Sequence, residues 1–126
     1  MDAHQDDRGF LFVAEYKKQL PFVVNRVYYI TDVTDSTTLR GNHAHLKLRQ
    51  LMFCVGGSCD IIFDDGCDRI TVHMDQPGKA VLVEPGVWRE MINFTKNATL
   101  IVLASDIYDE ADYIRDYKQF INIVKG

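Results

Sequence analysis

The 126-residue chain is the size of one ordinary domain, long enough to bury a core without covalent staples, and we expect a single domain over residues 1–126. Its 14 basic and 18 acidic residues give a formal charge of −4 with no Lys/Arg run, which argues against nucleic-acid binding, where phosphates must be neutralised. No apolar stretch approaches the ~20 residues of a membrane span, and Met1 to His4 carry no basic-then-apolar leader, so a cytoplasmic protein is expected.

In chain order, Arg8-Gly9 reads as a turn and Phe10 to Tyr16 as a first strand. Pro21 breaks the chain, and Phe22 to Ile30, rich in β-branched and aromatic residues, reads as a second strand. A polar loop covers 32–38. Strands are then predicted over Gly41 to Leu46, Gln50 to Val55, Ser58 to Phe63, Asp68 to His73, Lys79 to Val83, Val87 to Asn93 and Thr99 to Ser105. Gly56-Gly57, Asp64-Asp65-Gly66, Pro77-Gly78 and Pro85-Gly86 supply turns between them. Cys54, Cys59 and Cys67 form an odd set in apolar surroundings, which suits reduced, buried thiols. Short strands at this spacing mean a sandwich or barrel. Asp112 is placed to cap a short C-terminal helix, with Tyr113, Tyr117, Phe120 and Val124 recurring on one side.

His43 and His45 stand two residues apart in a strand, so their side chains share one face and can together bind a metal or move protons. The pattern Gly41-x-His43-x-His45-x4-Gln50-x5-Gly56 resembles the first cupin motif, and Pro85-Gly86-Val87-Trp88-Arg89-x3-Asn93 resembles a degenerate second one. The resemblance implies an all-β cupin jelly-roll barrel with its site in the mouth. Metal-binding cupins use two histidines, a glutamate and a third histidine. Gln50 and Arg89 stand at the last two positions; Gln is a weak neutral ligand and Arg has no lone pair to give, so we expect no metal.

Longer blocks narrow the resemblance. Arg8-Gly9, Pro21-Phe22, Arg26-Val27-Tyr28-Tyr29-Ile30, Arg40-Gly41-x-His43-Ala44-His45, Gly57-Ser58-Cys59, Asp64-Asp65-Gly66, Val87-Trp88 and the run from Leu103 to Arg115 resemble the dTDP-4-keto-6-deoxyglucose 3,4-ketoisomerases, the WxcM/FdtA-like cupins. The resemblance implies a metal-free, cofactor-free isomerase that turns a dTDP-linked 4-keto-6-deoxy sugar into a 3-keto sugar for an aminotransferase, on the way to 3-amino-3,6-dideoxyhexoses of bacterial surface glycans. It also implies a homodimer with an exchanged N-terminal strand. Some members carry His where this chain has Arg89, and the product configuration at C4, galacto or gluco, stays open. A nucleotide-sugar 3,5-epimerase and a non-catalytic sugar-binding cupin are the alternatives.

Moving the ketone from C4 to C3 needs a base of near-neutral pKa, a donor for the oxyanion and exclusion of water. His43 is expected to shuttle the proton, His45 to handle the sugar oxygens and Tyr28 to donate a hydrogen bond or relay a proton. Arg26, in an apolar strand, must meet a carboxylate such as Glu15 or a ligand. Arg40 is either a diphosphate ligand or a turn residue. Arg89, Trp88 and Gln50 are candidates for substrate contact at the mouth. Arg8 either reaches a site across a dimer interface or is a solvated turn residue. His4 and His73 are read as structural, and the acidic run Asp106 to Asp112 as a helix cap and solvated face.

Overall fold

A computed structural model describes residues 1–35 and 37–126; Ser36, within the predicted loop 32–38, lies outside the described residues. The strands are β1 (Asp2–Asp6), β2 (Gly9–Val13), β3 (Arg26–Ile30), β4 (Arg40–His45), β5 (Gln50–Val55), β6 (Cys59–Asp64), β7 (Arg69–Met74), β8 (Ala80–Val83), β9 (Trp88–Ile92), β10 (Thr99–Ala104) and β11 (Tyr113–Ile114). A 3₁₀ turn (Glu110–Asp112) precedes β11, and helix α1 (Tyr117–Lys125) ends the chain. Two antiparallel sheets face each other, one in the order β3-β10-β5-β8 and the other β11-β4-β9-β6-β7. This is the cupin jelly roll with a short C-terminal helix that the sequence predicts.

Alternation along each strand divides its residues between the lumen and the outside. On β5, Gln50, Met52 and Cys54 face the lumen, while Leu51 packs outward with Leu20 and Phe22. Its run reads as continuously apolar because both faces are covered. The lumen core comprises Met52, Cys54, Cys59, Ile61, Met74, Val83, Met91, Phe94, Leu100 and Val102. Four of the buried polar residues, His43, His45, Gln50 and Arg89, gather at one end of the lumen.

Helix α1 covers the outer face of the second sheet. Asp116 caps it by accepting from the Lys118 amide at 2.8 Å, and Phe120 is buried against Ala44, Trp88 and Ile114. The Tyr117 hydroxyl donates to Asp64 Oδ2 at 2.5 Å, where Arg69 also donates.

Several expectations are corrected. The predicted first strand, Phe10 to Tyr16, is the second arm of a hairpin: β1 pairs with β2 from Asp2↔Val13 to Asp6↔Gly9, held by backbone bonds to which its polar side chains give no clue. The predicted strand from Phe22 begins at Arg26, because Phe22 turns into a small core with Leu20 and Leu51. Cys54 and Cys59 are buried, but Cys67 is exposed in the turn after Asp64. Asp112 does not cap the helix; Asp116 does. His73, read as structural, needs no such correction: it is exposed and bonds Asp60 through Nδ1 at 2.5 Å.

Candidate active site

Gly41 sets the aim of the histidine strand. It adopts φ +67°, a left-handed conformation natural to glycine, and a Cβ there would stand 3.2 Å from the Met91 side chain. Register against β9 shifts between Arg40↔Met91 and His43↔Arg89, a bulge that re-aims the strand just before the histidines. From there His43 and His45 point into the lumen and Ala44 points out to the helix. The rings lie 4.7 Å apart in a T-shaped arrangement. Tyr113 packs over both, 4.9 Å from His43 and 4.4 Å from His45, and Arg115 lies 4.2 Å over Tyr113.

Asp112 fixes His45. Its Oδ2 accepts from His45 Nδ1 at 3.1 Å, and its two carboxylate oxygens accept the backbone amides of Lys47 and Leu48 at 2.8 and 3.2 Å. A carboxylate cannot donate, so Nδ1 carries the hydrogen and the buried Nε2 keeps a free lone pair. His43 Nε2 is likewise buried without a partner.

Opposite stands Arg89, fully buried with no carboxylate partner among the described residues; Nη1 donates to Gln50 Oε1, and Nε and Nη2 have no partner. Gln50 Nε2 in turn donates to the Tyr28 hydroxyl at 2.9 Å. Arg26 lies over the rings of Tyr28 and Tyr108, 5.4 and 5.6 Å from their centroids. It meets no carboxylate among the described residues, and its buried Nε is unpartnered. A cleft of about 460 Å³ opens beside this group, with Arg26, Tyr28, Arg40, His43, Tyr113 and Arg115 on its walls.

These positions dictate protonation. Burial, then the Arg89 charge, then the neighbouring imidazole and Arg115 pull His43 down to about 3. Burial, Arg89, Arg26 and Arg115 pull His45 down to about 3. Both rings are neutral at pH 7 and able to accept protons. Burial raises the Tyr28 phenol against the pull of Arg89, so it stays protonated. Burial lowers Arg89 to about 10, which leaves it charged. The donor set does not fit a cation: the glutamate and third-histidine positions of a metal cupin hold an amide already bonded to a guanidinium and the guanidinium itself.

The structure thus brings together His43, His45, Tyr28, Gln50, Arg89 and Arg26, with exposed Arg40 on the rim. It does not bring Trp88. Alternation on β9 turns Trp88 away from the lumen when Arg89 faces it, so the indole packs 5.7 Å from Phe120 and bonds Glu90 at 2.8 Å. Within its own chain Arg8 sits exposed at the hairpin turn, paired with Asp6 at 2.9 Å. Sequence reasoning missed Asp112, Tyr113 and Arg115. The alternation Tyr113-Ile114-Arg115 was the available signal for a short strand.

Buried imidazoles in the mouth of a jelly roll, with a guanidinium where a metal-binding cupin has its third histidine, define a cupin site of unusual donor set. A family model described as WxcM-like, C-terminal (FdtA), matches residues 1–125. The chain belongs to this family. A TDP-4-oxo-6-deoxy-α-D-glucose-3,4-oxoisomerase of Aneurinibacillus thermoaerophilus is 47% identical over 91% of this chain and 82% of its own length. A 3,4-ketoisomerase from Helicobacter canadensis superimposes with TM-score 0.94 at 42% identity, covering 99% of this chain and 93% of that one. A His→Asn variant of the QdtA 3,4-ketoisomerase from Thermoanaerobacterium thermosaccharolyticum, solved with TDP-4-keto-6-deoxyglucose, matches with TM-score 0.94 at 40% identity over 98% of this chain and 89% of that one.

Proposed function

We propose that the chain is a 3,4-ketoisomerase converting dTDP-4-keto-6-deoxyglucose to a dTDP-3-keto-6-deoxyhexose. The observation that carries this reading is the pair of neutral, buried imidazoles, each with an unpartnered Nε2, set against an uncompensated guanidinium. The names of the relatives support the substrate and the reaction.

Ketone migration relocates two hydrogens: the one on C3 ends on C4, and the one on O3 ends on O4. His43, which lines the cleft, takes the C3 proton and later delivers it to C4. His45, its Nδ1 hydrogen held by Asp112, uses Nε2 to accept the O3 proton and pass it to O4. The free Nε and Nη2 of Arg89 and the Tyr28 hydroxyl stabilise the enediolate between the two transfers. The positive field that keeps the imidazoles neutral is also the field that favours this anion. Once the anion forms, it offsets the guanidinium charge and makes an imidazolium beside it less costly. Arg26 and Arg40 hold the diphosphate at the rim.

The working unit is a homodimer in which the β1–β2 hairpin is exchanged and carries Arg8 to the other subunit's cleft. Support comes from the hairpin itself, which joins neither barrel sheet and exposes Phe10 and Leu11. Free thiols at all three cysteines suit a reducing cytoplasm, and no helix among the described residues is long and apolar enough to cross a membrane. The 3-keto product is what a 3-aminotransferase making a 3-amino-3,6-dideoxyhexose would consume.

Incubation with dTDP-4-keto-6-deoxyglucose followed by NMR, with a 3-aminotransferase as trap, tests the reading. New 3-keto signals and a 3-amino sugar are expected. Binding with an unchanged spectrum would make this a sugar-binding cupin, and deuterium wash-in at C5 would make it a 3,5-epimerase.

A further inference from the structure

Gln50 is fully buried, and both ends of its amide are used within the protein. Its strand partners are Ala104 on β10 and Val83 on β8, yet its side chain spans the lumen. Oε1 accepts from Arg89 on the opposite sheet, and Nε2 donates to Tyr28 on β3 of its own sheet. An amide can be placed in two orientations, but here only one works. A guanidinium donates and never accepts, so Oε1 must face Arg89. The other end can then only donate, which makes the Tyr28 oxygen an acceptor. The single O–H of Tyr28 cannot also point at an N–H group, so it turns away from Gln50, toward the cleft it shares with His43 and Arg40.

We infer that Gln50 is a positioning residue: bonded to Arg89, it locks Tyr28 as a hydrogen-bond donor facing the sugar. This role is distinct from the direct substrate contact that the sequence suggested for Gln50, because both polar atoms of that buried side chain already bond the protein, with one N–H and one lone pair to spare. The chain Arg89 to Gln50 to Tyr28 is polarised in one direction, so the guanidinium charge strengthens the phenol as a donor. The inference rests on the ketoisomerase reading for its consequence on rate, but the orientation itself does not.

The test is Gln50→Glu. A carboxylate keeps Arg89 paired and accepts at both ends, which turns the Tyr28 O–H inward. We expect kcat to fall about tenfold or more with KM within about threefold of wild type. Tyr28→Phe should fall similarly, and the double variant should be no slower than the slower single variant. In the protein without substrate, alkaline ultraviolet titration, taken as a difference against Tyr28→Phe, should show Tyr28 ionising at higher pH in Gln50→Glu. Gln50→Met, which keeps the volume and removes the donor, shifts the titration the same way and serves if the carboxylate variant does not fold. An unmoved titration, or losses that multiply in the double variant, would overturn the inference. Tyr28→Phe at wild-type speed alongside a shifted titration would overturn only the role of Tyr28 in turnover.

Discussion

Asp112 serves the turn and the site with one carboxylate. It collects the amides of Lys47 and Leu48 where β4 gives way to β5, and it holds His45 in the tautomer that frees Nε2. Asp112→Asn keeps the size but can present its NH₂ to His45, and we expect kcat to fall roughly 10- to 1,000-fold with a smaller change in KM. The imidazoles themselves predict two pH effects. Their pKa values drop from 6.5 to about 3 in the fold, so the unfolded chain binds more protons below about 6.5. The histidine contribution to stability is therefore complete above pH 6.5 and declines from there toward pH 3. Urea midpoints should fall between pH 7 and 4, and less steeply for His43→Asn. Because the free enzyme already holds neutral bases, kcat/KM should show no acid limb near pH 6.5; a limb there would contradict the burial argument. His43, His45, Gln50 and Arg89 were legible in the sequence because strand periodicity and motif spacing are local. Asp112 was not, since its partner His45 lies 67 residues away and the acidic run around it suggests a helix cap. Trp88 was misread because its neighbour Arg89 takes the inward direction.

The strand carrying the histidines depends on a backbone irregularity. Gly41→Ala would force a side chain into the left-handed region and against Met91 at 3.2 Å. We expect it to lose about 1–2 kcal/mol in urea unfolding from the backbone conformation alone, with more if Met91 cannot shift. Its kcat should fall as well, because the bulge aims His43; a variant with wild-type stability and rate would show that the bulge is incidental. Most strands were legible because Gly and Pro turns bracket alternating or apolar runs. The β1 segment DAHQD carries no such pattern. The helix is capped by Asp116 rather than Asp112 because Tyr113 and Ile114 pair with His45 and Ala44, a tertiary demand that outweighs a local cap.

At the scale of the whole molecule, the hairpin pairs with neither barrel sheet and touches its own barrel where the Met1 amino group donates to the Gly78 carbonyl at 2.7 Å and Phe12 packs beside Gly78. Phe10 is 63% exposed and Leu11 59%, values that suit a partner surface better than solvent. Sedimentation should give twice the 14.5 kDa of one chain, and Phe10→Asp with Leu11→Asp should shift the mass toward one chain. A monomeric wild-type protein would contradict the exchange. The sequence suggested an exchanged N-terminal strand only through family resemblance, because strand exchange is a property of two chains, and it did not suggest the hairpin. The barrel, by contrast, follows from one chain, since each sheet buries its inner face on the other. The proton shuttle is tested most directly by following deuterium placed at C3 of dTDP-4-keto-6-deoxyglucose by NMR. The account predicts that wild type delivers part of the label to C4 and that His43→Asn binds the sugar nucleotide but neither moves nor loses the label. Near-normal transfer by His43→Asn would contradict it.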